Sequence, residues 1–146
     1  MAAERRAEVS WQGDLMKGSG KIESVGSGAI AGLDVTWASR SEDKSQGKTS
    51  PEELLAAAHA ACFSMALSHA LGQAGTPPER LRVGARSTFV PGTGITEMAL
   101  ELRGTVPGLD DGAFREAAEQ AKANCPVSKA LEGNVRVSLD ARLDSV

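Results

Sequence analysis

Apolar and polar positions alternate most regularly near the end of the chain, where Val135, Val137, Leu139, Ala141 and Leu143 interleave with Arg136, Ser138, Asp140 and Arg142. A two-residue period of this kind predicts a strand with one buried face. Within Ile95–Val106, Met98, Leu100 and Leu102 alternate with Glu97, Ala99, Glu101 and Arg103. Leu81–Val90 precedes that segment across Pro91-Gly-Thr-Gly94, and the two arms predict an antiparallel hairpin. Three shorter β-tending segments, Ala7–Trp11, Lys21–Val25 and Leu33–Trp37, are punctuated by Gly18-Ser-Gly20 and Gly26-Ser-Gly28. Ser41–Thr49 is charged and polar and reads as an exposed loop.

The strongest helix-start signal is Ser50-Pro51-Glu52-Glu53. Ser50 suits the N-cap, Pro51 the first helical position, and Glu53 the carboxylate of a capping box. The predicted helix runs to about Gly72 or Gly75, ahead of Pro77-Pro78. Its middle is rich in small residues (Ala56, Ala57, Ala58, Ala60, Ala61, Ala66), which predicts packing on nearly all sides. Asp110 or Asp111 caps a second predicted helix ending at Pro126, with Phe114, Ala117, Ala118, Ala121 and Cys125 on one face. The order β-β-β-α-β-β-α-β predicts an α+β fold, with antiparallel sheet packed on a long central helix.

At 146 residues the chain is expected to form a single domain, residues 1–146. Hydrophobic residues at 41% and charged residues at 24% argue against disorder. A formal charge of −3 without a basic block argues against a nucleic-acid partner, and 3% aromatics with no Tyr argue against a stacking platform. Leu54 to Leu71 lacks Asp, Glu, Lys and Arg and approaches membrane length, but it contains His59 and His69 and stands alone in mid-chain. It reads as a core helix, and no membrane partner is expected. The beginning, Met1-Ala-Ala-Glu-Arg-Arg6, lacks the apolar run of a signal peptide, so a cytoplasmic location is expected.

The sequence shows no Gly-rich phosphate loop, no zinc-finger spacing and no suggestive carboxylate pair, so neither cofactor nor metal is expected. Two cysteines remain, Cys62 in the Ala-rich helix and Cys125 at the end of the second. Residue type and setting alone favour packing for both. A dyad of Cys62 with His59, one helical turn before it, is a weaker reading without an evident oxyanion-hole loop. His69 has no partner that the sequence names.

The strings Thr49-Ser-Pro-Glu-Glu-Leu-Leu-Ala-Ala-Ala-His-Ala-Ala-Cys-Phe-Ser-Met-Ala-Leu67 and Ala123-Asn-Cys-Pro-Val-Ser-Lys-Ala-Leu131 resemble the OsmC/Ohr family. Its members are the osmotically inducible and organic hydroperoxide resistance proteins, thiol-dependent peroxidases. Trp11-Gln-Gly-Asp14 followed by Lys17-Gly-Ser-Gly20 fits the same family, so the resemblance spans the chain. It implies an intertwined homodimer with active sites at the subunit interface. It also implies Cys62 as the peroxide-attacking cysteine, Cys125 as the resolving cysteine that closes a Cys62–Cys125 disulfide, and Glu52 as the family's acidic residue. The family's arginine falls on Arg40 after the third strand, as in the OsmC branch. The early turn where the Ohr branch carries it offers only Lys17.

The resemblance implies organic hydroperoxides as substrates, hydrogen peroxide being left open, with a dithiol reductant of dihydrolipoyl type. The rival readings are an osmotic-stress structural or binding protein with packing cysteines, and a general thiol–disulfide oxidoreductase; the latter lacks a Cys-X-X-Cys pair. A free thiol has a pKa of about 8.5. Cys62 lies too far into its helix to use the N-terminal dipole, so a guanidinium such as that of Arg40 is the available source of thiolate character. Glu52 precedes Cys62 by about 15 Å of helical rise, which points to service in the partner subunit's site.

Overall fold

A computed structural model describes residues 1–145. The chain divides into two compact units, Met1–Leu54 and Leu55–Val146. In the first, β1 (Ala7–Gln12), β2 (Ser19–Val25) and β3 (Ala31–Val35) form an antiparallel sheet in the order β1-β2-β3. Gly20 carries no side chain for a packing reason, since a Cβ there would lie 2.6 Å from the Trp11 ring and 2.9 Å from Val35.

The third strand stops at Val35, two residues short of the expected end, and Trp37–Ser41 forms a short helix, α1. Thr36 caps it, its side chain accepting from the Ser39 backbone N–H while the Ser39 hydroxyl accepts from the Thr36 N–H, a complete capping box. Ser39 also donates to the Thr49 carbonyl at 2.9 Å, which ties α1 to the segment entering the long helix. Trp37, expected to end the third strand, and Ser41, expected to begin the loop, are therefore both helical, and the turn between them carries Arg40.

The long helix, α2 (Pro51–Gln73), starts and ends where the sequence predicts. Ser50 Oγ accepts from the Glu53 backbone N–H at 3.1 Å, and the Glu53 carboxylate takes the Thr49 hydroxyl at 3.0 Å. By length and composition α2 could cross a membrane. In the fold it supplies Phe63, Leu67 and Leu71 to the core of the second unit. Within the chain α2 is buried along one face only. Ala57, Ala58 and Ala61 are exposed, as is Met65 at 67%. This corrects the expectation of packing on nearly all sides.

In the second unit β4 (Arg80–Val90) and β5 (Gly94–Thr105) form the predicted antiparallel hairpin. Helix α3 (Asp111–Asn124) follows, capped by Asp110, whose side chain accepts from the Ala113 N–H at 2.8 Å. Phe114, Ala118, Ala121 and Cys125 are buried on its expected face. Pro126 ends α3, as predicted, and also begins a further helix, α4 (Pro126–Leu131), because proline is favoured at a first helical position. The last strand, β6 (Arg136–Leu143), lies beside β5 in parallel, with Glu97 opposite Arg136 and Gly104 opposite Leu143. The antiparallel expectation therefore fails for this pair. The α3–α4 crossover returns the chain to the end where β5 began, and a helical crossover joins parallel neighbours. The result is an α+β fold of two small sheets with a long helix.

Gly104 is the most closely packed glycine of the second unit. A Cβ there would meet the Phe114 ring at 2.6 Å and Leu81 at 3.1 Å. Gly104→Ala is expected to lower unfolding stability by about 1–3 kcal/mol through overpacking. Chemical denaturation of the two proteins, compared at equal m-value, checks this.

Candidate active site

The sequence names four site residues, and the structure brings them together as two pairs. Arg40 and Glu52 meet in the first unit. Arg40 Nε donates to Glu52 Oε1 at 2.9 Å, and Nη2 approaches the same oxygen at 2.9 Å. Capping by Thr36 sets Arg40 on α1, and the Ser50–Pro51 start sets Glu52 in the first turn of α2. The side chains are 32% and 8% exposed, so the carboxylate is the sequestered partner. Its second oxygen, Oε2, is buried without a hydrogen-bond partner. Lys17, the alternative cation, is exposed in the β1–β2 turn, where its backbone N–H donates to Asp14 Oδ1.

Cys62 and Cys125 meet in the second unit, both as free thiols. Cys62 is half-buried on α2; Cys125 is fully buried at the junction of α3 and α4. Burial pushes the Cys62 thiol above its ordinary pKa. The Val127 backbone N–H, in the first turn of α4, favours the thiolate and pulls the value down, while the neighbouring Cys125 thiol pushes it up. One backbone donor therefore does not offset burial, and Cys62 needs a positive charge from elsewhere to ionise near neutrality.

His59, on α2 three residues before Cys62, is fully buried and engages Ser128 Oγ at 2.8 Å through Nε2, not Cys62. Burial lowers its pKa below the ordinary 6.5, so it is a neutral imidazole at neutral pH. His69 is exposed. Sequence reasoning missed Val127 and Ser128. The available signal was Pro126 after a buried cysteine, since a helix start leaves its first backbone N–H groups unpaired and free to face a neighbour. Among the described residues no group of three or more His, Cys, Asp or Glu is placed to hold a metal.

A family model described as OsmC-like protein matches residues 42–140. The chain is 38% identical over 148 residues to the peroxiredoxin OsmC of Escherichia coli (strain K12), covering 99% of this chain and 100% of that protein. It belongs to the OsmC-like family. The organic hydroperoxide resistance protein of Xanthomonas axonopodis pv. citri (strain 306) is 32% identical over 97 residues, covering 62% of this chain and 65% of that relative. Among solved structures, the organic hydroperoxide resistance protein OhrB of Bacillus subtilis superposes with a TM-score of 0.66 at 25% identity, covering 94% of this chain and 98% of that one. An organic hydroperoxide resistance protein from Elizabethkingia anophelis reaches 0.71 at 23% identity, covering 99% and 100% of the two chains, and shares the OsmC-like fold.

The Arg40–Glu52 pair gives a test of the first unit. Removing Arg40 leaves a buried carboxylate without its cation, whereas removing both charges does not. A double-mutant cycle with Arg40→Ala and Glu52→Gln is expected to give a coupling of about 1–3 kcal/mol in chemical denaturation. Strictly additive losses would contradict the pair.

Proposed function

We propose that this OsmC-like chain is a thiol-dependent peroxidase that reduces organic hydroperoxides, with Cys62 as nucleophile and Cys125 as resolving cysteine. The observation that carries this reading is the meeting of the two thiols, in a chain similar to relatives named peroxiredoxin OsmC and organic hydroperoxide resistance protein. In the first step the Cys62 thiolate attacks the terminal peroxide oxygen. The O–O bond breaks, the alkoxide leaves and is protonated to the alcohol, and Cys62 becomes a sulfenic acid. Cys125 then attacks Cys62 Sγ; the S–S bond forms, the S–O bond breaks, and water leaves. A dithiol of dihydrolipoyl type restores both thiols by exchange.

Arg40 supplies the cation that Cys62 needs, and Glu52 holds that guanidinium in place. Glu52 and Cys62 lie on one helix, ten residues apart, which is about 15 Å of rise. Because Arg40 is bound to Glu52 of its own chain, the two travel together. The pair of one subunit therefore serves the Cys62 of its partner in a homodimer whose sites lie at the subunit interface. The open face of α2, with Ala57, Ala61 and Met65, suits close approach of a second subunit. The whole chain acts as one OsmC-like domain, in the cytoplasm, where dithiols are maintained.

Consumption of cumene hydroperoxide in the presence of a dithiol is expected from the wild type and not from Cys62→Ser, with the variant remaining folded. Cys62→Ser and Glu52→Gln homodimers are each expected to be weak, yet to regain activity on subunit exchange, which assembles one intact site. A Cys62→Ser protein that keeps most of its turnover contradicts the assignment. Confirmed heterodimers that stay inactive contradict service in trans.

A further inference from the structure

The string from Cys125 to Ser128 carries one polar side chain that the thiol cycle leaves unused. Ser128 is the third residue of α4 and is buried, as is His59 on α2. Their side chains meet at 2.8 Å, and the other imidazole nitrogen, Nδ1, is buried without a hydrogen-bond partner. Among the described residues, Ser128 Oγ is thus the hydrogen-bond partner that the imidazole has. Three contacts now join the middle of α2 to the first turn of α4: Cys62 with Cys125, Cys62 with the Val127 N–H, and His59 with Ser128. The first two belong to the reacting sulfur. The third lies outside it.

A buried hydrogen bond between neutral side chains is directional, and leaving either partner unsatisfied is costly. An apolar seat for α4 would tolerate small rotations of its first turn. A bond from His59 to Ser128 does not, because turning α4 about its axis breaks it. We infer that His59 and Ser128 are positioning residues, whose bond holds the first turn of α4 where Cys125 Sγ and the Val127 N–H both face Cys62. The consequence for turnover rests on the proposed peroxidase cycle. Once Cys62 is a sulfenic acid, it either condenses with Cys125, releasing water, or meets a second hydroperoxide. The second route oxidises it to the sulfinic acid, releases another alcohol, and ends the cycle. How well Cys125 is held decides between them.

Ser128→Ala and His59→Leu break the bond from either side, and Ser128→Thr keeps the hydroxyl. Each full-length protein is reduced and treated in one arm with diamide, which takes two hydrogens from the thiols and involves no hydroperoxide. In the other arm it is treated with excess cumene hydroperoxide. In the diamide arm, Ser128→Ala and His59→Leu are expected to close the Cys62–Cys125 bridge about tenfold more slowly than wild type. In the hydroperoxide arm they are expected to accumulate Cys62 sulfinic acid. Alkylation of Cys62 by iodoacetamide should move to higher pH as the Val127 donor is lost, and Ser128→Thr should behave as wild type. A merely structural role lowers the melting temperature and leaves bridge closure, partition and alkylation profile unmoved; that outcome overturns the inference. So does a Ser128→Thr protein as slow as Ser128→Ala. A wild type that closes the bridge with diamide yet ignores hydroperoxides defeats the peroxidase reading alone, because the diamide arm still judges the positioning.

Discussion

A thiol set into the middle of an apolar helix is disfavoured as its anion, and the surroundings of Cys62 within its own unit offset that constraint only in part. Cys62 lies in the stretch of α2 that buries Phe63, Leu67 and Leu71 in the core of the second unit, beyond the first turn where the helix dipole would help. The remedies therefore come from other elements. The break at Pro126 turns the end of α3 into the start of α4, and this one junction brings Cys62 the Val127 N–H, which favours its thiolate, together with the Cys125 thiol, which does not. Cys125 closes the apolar face of α3 and, in the proposed cycle, is also the resolving thiol.

The first unit is organised around a different charge. Its short helix α1 exists because Thr36 and Ser39 cap each other, and Ser39 then fastens the turn to Thr49. Arg40 is thereby aimed at Glu52. A buried carboxylate is tolerable only beside a cation, and an arginine so restrained is a better-defined charge than a free surface lysine such as Lys17.

Much of this was legible in the sequence because capping, turn and alternation signals are local. Ser50-Pro51 set the start of α2, Asp110 that of α3, and the alternation from Met98 to Arg103 marked the faces of β5. The two short helices were not legible, since five or six residues do not complete enough turns to show a helical period. Nor was the direction of β6, because a two-residue alternation reads the same for parallel and antiparallel neighbours. The site residues came from the resemblance of two strings to a family, whereas the His59–Ser128 bond joins positions far apart in sequence and leaves no local trace.

The central claim is that Cys62 and Cys125 form one redox pair within a single chain. Treating the reduced protein with one equivalent of cumene hydroperoxide and mapping its peptides without reduction tests this most directly. The account predicts one intrachain Cys62–Cys125 disulfide per alcohol released. A free Cys125 beside an oxidised Cys62, or a bridge between chains, would contradict it.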